Sequence, residues 1–387
     1  AAAGAAALAG SWLRRWQWRL RRAAAKNRAA PLPAGADMLR VGFSAKKLPA
    51  EIDHVIIGSG LSGLYIAALL SKLGRRVVVL EQHYVAGGCT HTFKDKGFEF
   101  DTGVHYIGMA TQLCAAMDFA AGRYGAFRME RQGQDDGSEV YNELHAHGRC
   151  VHRYRPGPET FQEDITQKFP QEEQAIRRFL ASVQLASLGS VIVLAKQFIP
   201  KALWGTILAL PGIKHIVRSY IRRTLAEALT DCGVKDPVLR DIFSAEFGDH
   251  GMVPEKAPFF LHAGILAHYM PEGGFSPVRG SDSFALALVP TVLDAGGAVF
   301  VRAPVAKVVE ENGRVVGVEM AGGKGVVRAK RSVISAAGVE VTYRRLLDEV
   351  TVAKIGGPPQ SLLAAEQKGH GGSSHHMYGV FGFDGSA

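Results

Sequence analysis

The sequence predicts an α/β fold built on a Rossmann-like dinucleotide-binding domain, with a region of different character in the middle of the chain. Three observations predict it. A complete strand–helix–strand unit with a glycine-rich turn runs from Ile52 to Glu81. Residues 270–340 resume that character with short apolar strands and an amphipathic helix. Between them, residues 126–269 turn to mixed charge and then to interrupted apolar segments.

In the first unit, His54–Ile57 is a β-branched run of the length that a buried parallel strand needs. Gly58, Ser59, Gly60, Leu61, Ser62 and Gly63 supply a G-x-G-x-x-G turn. Leu64–Leu73 is an Ala/Leu-rich helix ended by Gly74, and Arg76–Leu80 is a second apolar strand closed by Glu81. Gly58 permits the tight turn, Gly60 lets backbone N–H groups approach a pyrophosphate, and Gly63 lets helix and strand pack closely. The helix N-terminus offers unpaired donors and the positive end of its dipole. Glu81, roughly twenty residues beyond the glycines, is placed to accept from ribose hydroxyls. A carboxylate there disfavours a 2′-phosphate, because two negative charges would meet. Glycines alone are a weak signal, but strand, helix, second strand and acid together make a dinucleotide site. The motif does not choose between NAD and FAD.

Composition bounds the rest. A chain of 387 residues exceeds one ordinary domain, and 47% hydrophobic residues can fill two cores. The net charge of +9 is local: residues 1–50 hold ten Lys/Arg against Asp37 alone, and the remainder balances at 35 basic and 35 acidic side chains. A nucleic-acid-binding body is therefore not implied. Cys89, Cys114, Cys150 and Cys232 have irregular spacing and no C-x-x-C, which gives neither a disulfide framework nor a zinc site. A reduced, cytosol-facing chain with no metal is the expectation.

Residues 1–50 read as a basic leader and linker. Trp12, Trp16 and Trp18 among five arginines suit a membrane interface with anionic headgroups. The alanine run before them is too short to span a bilayer. No initiator Met is present, so the chain is expected to begin part-way through a protein or after processing. Pro31 and Pro33 break any helix, and residues 31–51 read as a linker.

After the first unit, Gly87-Gly88 lets a loop pass close to the cofactor, with Thr90 and Thr92 as hydroxyl donors. Phe98–Phe100 is a short strand leading into Asp101-Thr102-Gly103. These contacts extend along a longer, buried cofactor, which favours FAD.

GSGLSGL, VVVLEQH, AGGCTHTF and FEFDTGVHYIG together resemble the FAD-dependent group that includes carotenoid desaturases, amine oxidases and the Rab GDP-dissociation inhibitors. Within that group they are most similar to the all-trans-retinol 13,14-reductases, through EQH at 81–83, GGCTHTF at 87–93 and FEFDTGVHYIG at 98–108. The resemblance extends from about residue 40 to the chain end and is looser through 110–250.

It implies a discontinuous FAD-binding domain, residues 51–125 and 270–340, with an inserted α+β substrate and membrane-associated domain at 126–269. It also implies cofactor contacts at Gln82, Cys89, Val305 beside the adenine and Ala336 on the returning segment. The implied activity is flavin-dependent saturation of one double bond of all-trans-retinol, with NAD or NADP as an alternative dinucleotide or electron source. His105 and Tyr106, directly after Asp101-Thr102-Gly103, are the candidate proton donors. The implied partners are a retinoid or other polyene lipid and a membrane surface, and the implied location is peripheral on the endoplasmic reticulum. Two other readings stay open: a carotenoid-type polyene desaturase or isomerase, and a non-catalytic lipid-binding protein like the GDP-dissociation inhibitors.

In the insert, helical patterning covers Glu172–Leu188, and residues 185–217 read as two broken apolar helices. Lys196, Pro200, Lys201 and Pro211 interrupt them, so no run reaches the roughly twenty residues a span needs. They suit a tunnel lid, a shallow membrane dip or plain core. In the second half, Ser281–Ala295 reads as an amphipathic helix closed by Gly296-Gly297, and Val299–Val301 as a strand. Val305–Glu310 and Val315–Met320 read as a hairpin, and Arg331–Gly338 as an apolar strand. Residues 341–387 read as the start of a further substrate domain that stops short, without the C-terminal flavin-contacting segment of the resembling family. His370, His375 and His376 lie in a Gly/Ser-rich loop before the strand Tyr378–Phe383 and are read as no metal site.

Overall fold

The computed structural model describes residues 35–357 apart from 97, 134–138, 147–148 and 196–198. The tryptophan-arginine leader and the histidines at 370–376 lie outside the described residues, as does the expected strand Tyr378–Phe383.

β1 (His54–Ile57), α1 (Leu61–Lys72) and β2 (Val77–Leu80) form the expected unit. The hairpin β3 (Thr92–Asp95) and β4 (Phe98–Asp101) follows, then α2 (Ala110–Ala121) and β5 (Met129–Arg131). The insert begins with the hairpin β6 (Asn142–Ala146) and β7 (Arg149–Tyr154), then α3 (Pro158–Lys168) and α4 (Glu173–Ala195). It continues through α5 (Lys201–Ala209), α6 (Pro211–Ile216), α7 (Leu225–Cys232), α8 (Pro237–Ser244) and α9 (Phe259–Tyr269). The chain returns through β8 (Phe275–Pro277), α10 (Ser283–Asp294) and β9 (Ala298–Phe300). β10 (Val305–Glu311), β11 (Arg314–Met320) and β12 (Val326–Arg328) precede β13 (Ser332–Ser335) and α11 (Glu349–Lys354).

The central sheet runs β13-β1-β2-β9, all parallel. Its strands alternate between two cores. Ile56, Val77, Val79 and Val299 face α1, α2 and α10, while Val55, Val78, Leu80 and Phe300 face the antiparallel sheet β10-β11-β12 through Val318, Met320 and Val327. Both faces are covered, which is why β2 reads as an unbroken apolar run rather than an alternating one. Each such side chain contributes about 1.5–3 kcal/mol on burial. The β10–β11 hairpin turns on Asn312-Gly313 alone, both at positive φ (52° and 77°), the geometry whose twist matches the strands.

Four expectations need correcting. α10 is not amphipathic: Ser283 through Val289 are all buried, because the helix lies against both α1 and α2. Residues 36–48 are not a linker. Leu39 is buried in the helical core, the Val301 N–H donates to Val41, and the Phe43 N–H donates to Val301. Residues 341–354 do not open a further substrate domain: Leu346 joins the core under β10–β12, and Thr351 and Lys354 both donate to Glu310. The insert also begins later than residue 126. Ala126 and Phe127 belong to the first core, and β5 pairs with β8.

The insert has its own core of Phe161, Phe179, Val183, Leu229, Phe243 and Phe259. Its apolar helices break as the prolines dictate, with Pro200 at the N-cap of α5 and Pro211 opening α6. Among the described residues no helix is long and apolar enough to cross a membrane.

Candidate dinucleotide-binding site

The site gathers at the carboxyl ends of β13, β1, β2 and β9, where an open α/β sheet presents its ligand crevice. Gly58 turns the chain off β1 at φ +96°, with its N–H donated to the Leu80 carbonyl at 2.9 Å. A Cβ on Gly63 would lie 2.2 Å from the Gly58 carbonyl oxygen, so no residue with a side chain fits there without moving the loop. A Cβ on Gly60 would meet nothing within 4 Å. The space beside Gly60 is open at the N-cap of α1, where no side chain caps the first-turn N–H groups.

Glu81 does more than the sequence indicated. It is buried, and its Oε2 accepts from the Ser59 N–H at 2.8 Å and the Ser59 hydroxyl at 2.7 Å, while Oε1 accepts from the His83 N–H at 2.8 Å. The carboxylate therefore holds the phosphate loop against the end of β2 before any ribose arrives. A carboxylate offers about four lone-pair directions, so one on Oε1 is left for a ribose hydroxyl.

A second layer closes on the first. The Gly87 N–H donates to the Ser59 carbonyl and hydroxyl, both at 3.1 Å. A Cβ on Gly88 would come within 2.8 Å of the Gly60 Cα, so the two glycine segments lie backbone on backbone. Thr90 is not a free hydroxyl donor: it is buried and gives its proton to the Gly87 carbonyl at 2.7 Å. His91, which sequence reasoning passed over, donates through Nδ1 to the Gly88 carbonyl at 2.6 Å. Thr102 in turn donates to the His91 carbonyl at 2.7 Å. Asp101 accepts from the Ser281 N–H at 2.7 Å and its hydroxyl at 2.8 Å, which fastens the β3–β4 hairpin to the start of α10. The Asp-Thr-Gly pattern had flagged Asp101, but its partner lies 180 residues away and no local spacing points to it.

Ala336, a cofactor contact in the resemblance, has its N–H on the Ile57 carbonyl at 2.8 Å and its Cβ facing Gly63. The segment entering Val305 runs along the Glu81 side, where Ala303 N–H donates to the Glu81 carbonyl and Arg302 N–H to the His83 carbonyl. Leu61 is partly buried at the first turn of α1, Ser62 is exposed beside it, and Gln82 and Cys89 lie exposed on the rim.

His105 and Tyr106 sit further on, where the nucleotide half meets the insert. The His105 carbonyl accepts from the Ser276 hydroxyl at 3.1 Å, and the Tyr106 ring lies 5.3 Å from that of Tyr269 on α9. Tyr269 stacks on Tyr141 at 6.2 Å, and Tyr141 approaches Tyr154 at 6.2 Å. Behind this tyrosine seam lies Glu246, buried with one hydrogen bond from Asn142 Nδ2 at 3.2 Å. Burial pushes its carboxyl up to about 7. His268 on α9 accepts from the Gly108 N–H at 2.8 Å, and burial holds its pKa below the usual histidine value.

Comparison with known proteins agrees with this geometry. Residues 56–120 match the NAD(P)-binding Rossmann-like domain family. The chain is 33% identical over 347 residues to an all-trans-retinol 13,14-reductase from Danio rerio, covering 87% of this chain and 55% of that protein. It is 29% identical over 328 residues to a chloroplastic prolycopene isomerase from Daucus carota, covering 79% of this chain and 49% of that protein. The chain thus spans about half the length of these relatives. Among solved structures, an oxidoreductase from Methanosarcina mazei superposes with a TM-score of 0.51 at 19% identity, over 78% of this chain and 64% of that one, and shares the fold.

Proposed function

We propose, from its 33% identity to an all-trans-retinol 13,14-reductase over 55% of that protein, that the chain works as part of a flavin-dependent oxidoreductase on a polyene lipid. One observation carries the reading furthest. The space beside Gly60 is open at the helix N-terminus, with the Gly87-Gly88 layer against the Gly60 backbone and Glu81 on the neighbouring Ser59, an arrangement that suits the diphosphate and ribose of an adenine dinucleotide. FAD is the preferred occupant, because the Gly87–Thr102 layer continues that arrangement beyond the diphosphate and Glu81 would repel a 2′-phosphate.

In this account the chain's own residues hold and orient. The first-turn N–H groups of α1 bind the diphosphate, Glu81 accepts from the ribose, and His91 and Thr102 keep the second glycine layer closed on the loop. The flavin, when bound, supplies hydride exchange with a carbon of the polyene. His105, Tyr106 and the tyrosine seam lie where the nucleotide half packs on the insert, and the proton for the second carbon is assigned to that side. An all-trans retinoid is the first substrate to try, since one relative is named for retinol and another for prolycopene.

The proposed location is peripheral on a membrane, where such a lipid would be dissolved. Leu203 on α5 and Leu210 beside α6 are exposed, and Lys214, Arg218 and Arg222 follow them, which suits apolar contact beside anionic headgroups. The test of function is anaerobic incubation of all-trans-retinol with the purified chain and chemically reduced FAD, followed by chromatography. The reading expects little 13,14-dihydroretinol from the chain alone, whose described residues offer contacts to the adenine half of the cofactor, and 13,14-dihydroretinol once it is joined to a segment that holds the isoalloxazine. A folded, flavin-loaded protein of that joined kind that turns over no polyene would refute the assigned reaction.

A further inference from the structure

The β6–β7 hairpin brings together three side chains that the linear spacing of the cysteines does not reveal. Glu143 and His145 sit on one face of β6, two residues apart, as the period of a strand requires. Cys150 lies on β7, where strict alternation would set it on the same inner face as His152 and Tyr154, both buried. It is exposed instead. The cause is a β-bulge: Leu144 pairs with His152 but His145 pairs with Cys150, so Val151 is the extra residue and Cys150 is turned outward beside His145. Bulges of this kind re-aim side chains and recur near functional sites.

One ligand atom of each of Glu143, His145 and Cys150 lies within 4.8 Å of the other two. His145 Nε2 and Glu143 Oε2 already share a proton at 2.8 Å. Arg153 sits on the other carboxylate oxygen, Oε1, at 2.9 Å, and so fixes Oε2 toward the imidazole.

We propose that Glu143, His145 and Cys150 form a binding site for a divalent transition-metal ion of the zinc class, pinning the two strands of the hairpin together. The donor set is one oxygen, one nitrogen and one sulfur, which suits a borderline ion such as Zn²⁺ and excludes the hard ions Mg²⁺ and Ca²⁺. Tetrahedral bonds of about 2.0–2.3 Å put donors about 3.3–3.8 Å apart, so Nε2 and Oε2, now 2.8 Å apart, must part by about 0.5 Å while the Cys150 sulfur closes by up to about 1 Å, within reach of rotation in exposed side chains. The ion takes the place of the proton between Nε2 and Oε2, which stays on the imidazole at Nδ1. The Cys150 thiol releases its own proton to solvent. Arg153 opposes the ion through its charge and supports it by orienting the carboxylate. A fourth position is left for water. Cys150 and Arg153 also border an open surface cavity of about 560 Å³.

Cobalt chloride titrated into the full chain tests this. The proposal expects one Co²⁺ per chain with a thiolate-to-cobalt charge-transfer band, displaced by zinc chloride. The band should vanish in Cys150→Ser and persist in Cys89→Ser, the other exposed cysteine. His145→Gln and Glu143→Gln should each weaken binding about tenfold or more. Circular dichroism on each variant separates loss of the site from loss of fold, which the exposure of all three residues disfavours. Cobalt binding that survives Cys150→Ser, or that is lost instead when His375 and His376 are replaced by Ala, would overturn the assignment. So would binding too weak to reach one ion per chain at equimolar metal.

Discussion

Two alanine substitutions three residues apart in the same loop should separate packing from ligand binding. In Gly63→Ala the new methyl would stand 2.2 Å from the Gly58 carbonyl oxygen and 3.2 Å from the Ala336 Cβ. An ordinary Cβ–O contact is about 3.4 Å or more, so α1 or the loop must retreat by roughly 1 Å. Overpacking of that kind costs about 1–3 kcal/mol, a fall in melting temperature of roughly 1–4 °C for a chain of this size. In Gly60→Ala the methyl meets nothing within 4 Å, and φ of −59° is open to any residue. Its cost is the small N-cap preference of Gly over Ala, about 1 kcal/mol or less. The methyl nevertheless fills the space assigned to the pyrophosphate, so FAD affinity should fall at least tenfold. Differential scanning fluorimetry and FAD fluorescence titration on the two variants give four numbers. Gly63→Ala is expected to lose stability and binding together, and Gly60→Ala binding alone. A Gly60→Ala chain that binds FAD as tightly as the parent would refute the placement of the diphosphate.

Other perturbations follow from the same geometry. Ser59→Ala leaves the buried Glu81 carboxylate with one donor fewer and should cost about 1–2 kcal/mol in urea unfolding, with FAD affinity falling as the loop loosens. Glu246 carries its proton more tightly folded than unfolded, so its contribution is fully present below pH 4.5 and is lost as pH rises through about 7. Glu246→Gln should therefore stabilise the chain at pH 8, by on the order of 2–3 kcal/mol, and change little at pH 4.5. His152 and His262, whose pKa values burial lowers to about 4, oppose it by gaining stability as pH rises from about 4 to 6.5, so the variant-minus-parent difference across pH is the readout. Leu203→Asp with Leu210→Asp should cut co-sedimentation with phosphatidylserine vesicles at unchanged melting temperature. Undiminished binding would move the membrane contact elsewhere.

The parts of this molecule legible in the sequence are those where one local rule acts alone. Strands buried on both faces read as apolar runs, the Gly58–Gly63 turn reads by its spacing, and Asn312-Gly313 reads as a two-residue hairpin turn. Illegible parts depend on contacts far along the chain. The burial of α10 on every side, which defeated the amphipathic reading, comes from α1 and α2, more than 160 residues upstream. Residues 36–48 look like a proline-bounded linker until Val301 offers them a strand edge. In the site, the glycines and Glu81 were visible because their spacing is the one that a phosphate turn and a ribose acceptor require. The roles of Ser59, His91 and Ser281 were not, since each serves only to hold another residue of the site. Cys150 looked unpaired for a different reason: a bulge, which no periodicity reports, sets which face it takes.

The central claim is that this loop holds the adenine dinucleotide of a flavin, with Glu81 at the ribose. Titration of the purified chain, stripped of any endogenous cofactor, with FAD, NAD and NADP tests it most directly. The account predicts saturable binding of FAD, weaker binding of NAD, and NADP weaker again by tenfold or more because its 2′-phosphate meets the Glu81 carboxylate. NADP binding more tightly than FAD, or no dinucleotide binding by a chain shown to be folded, would contradict it.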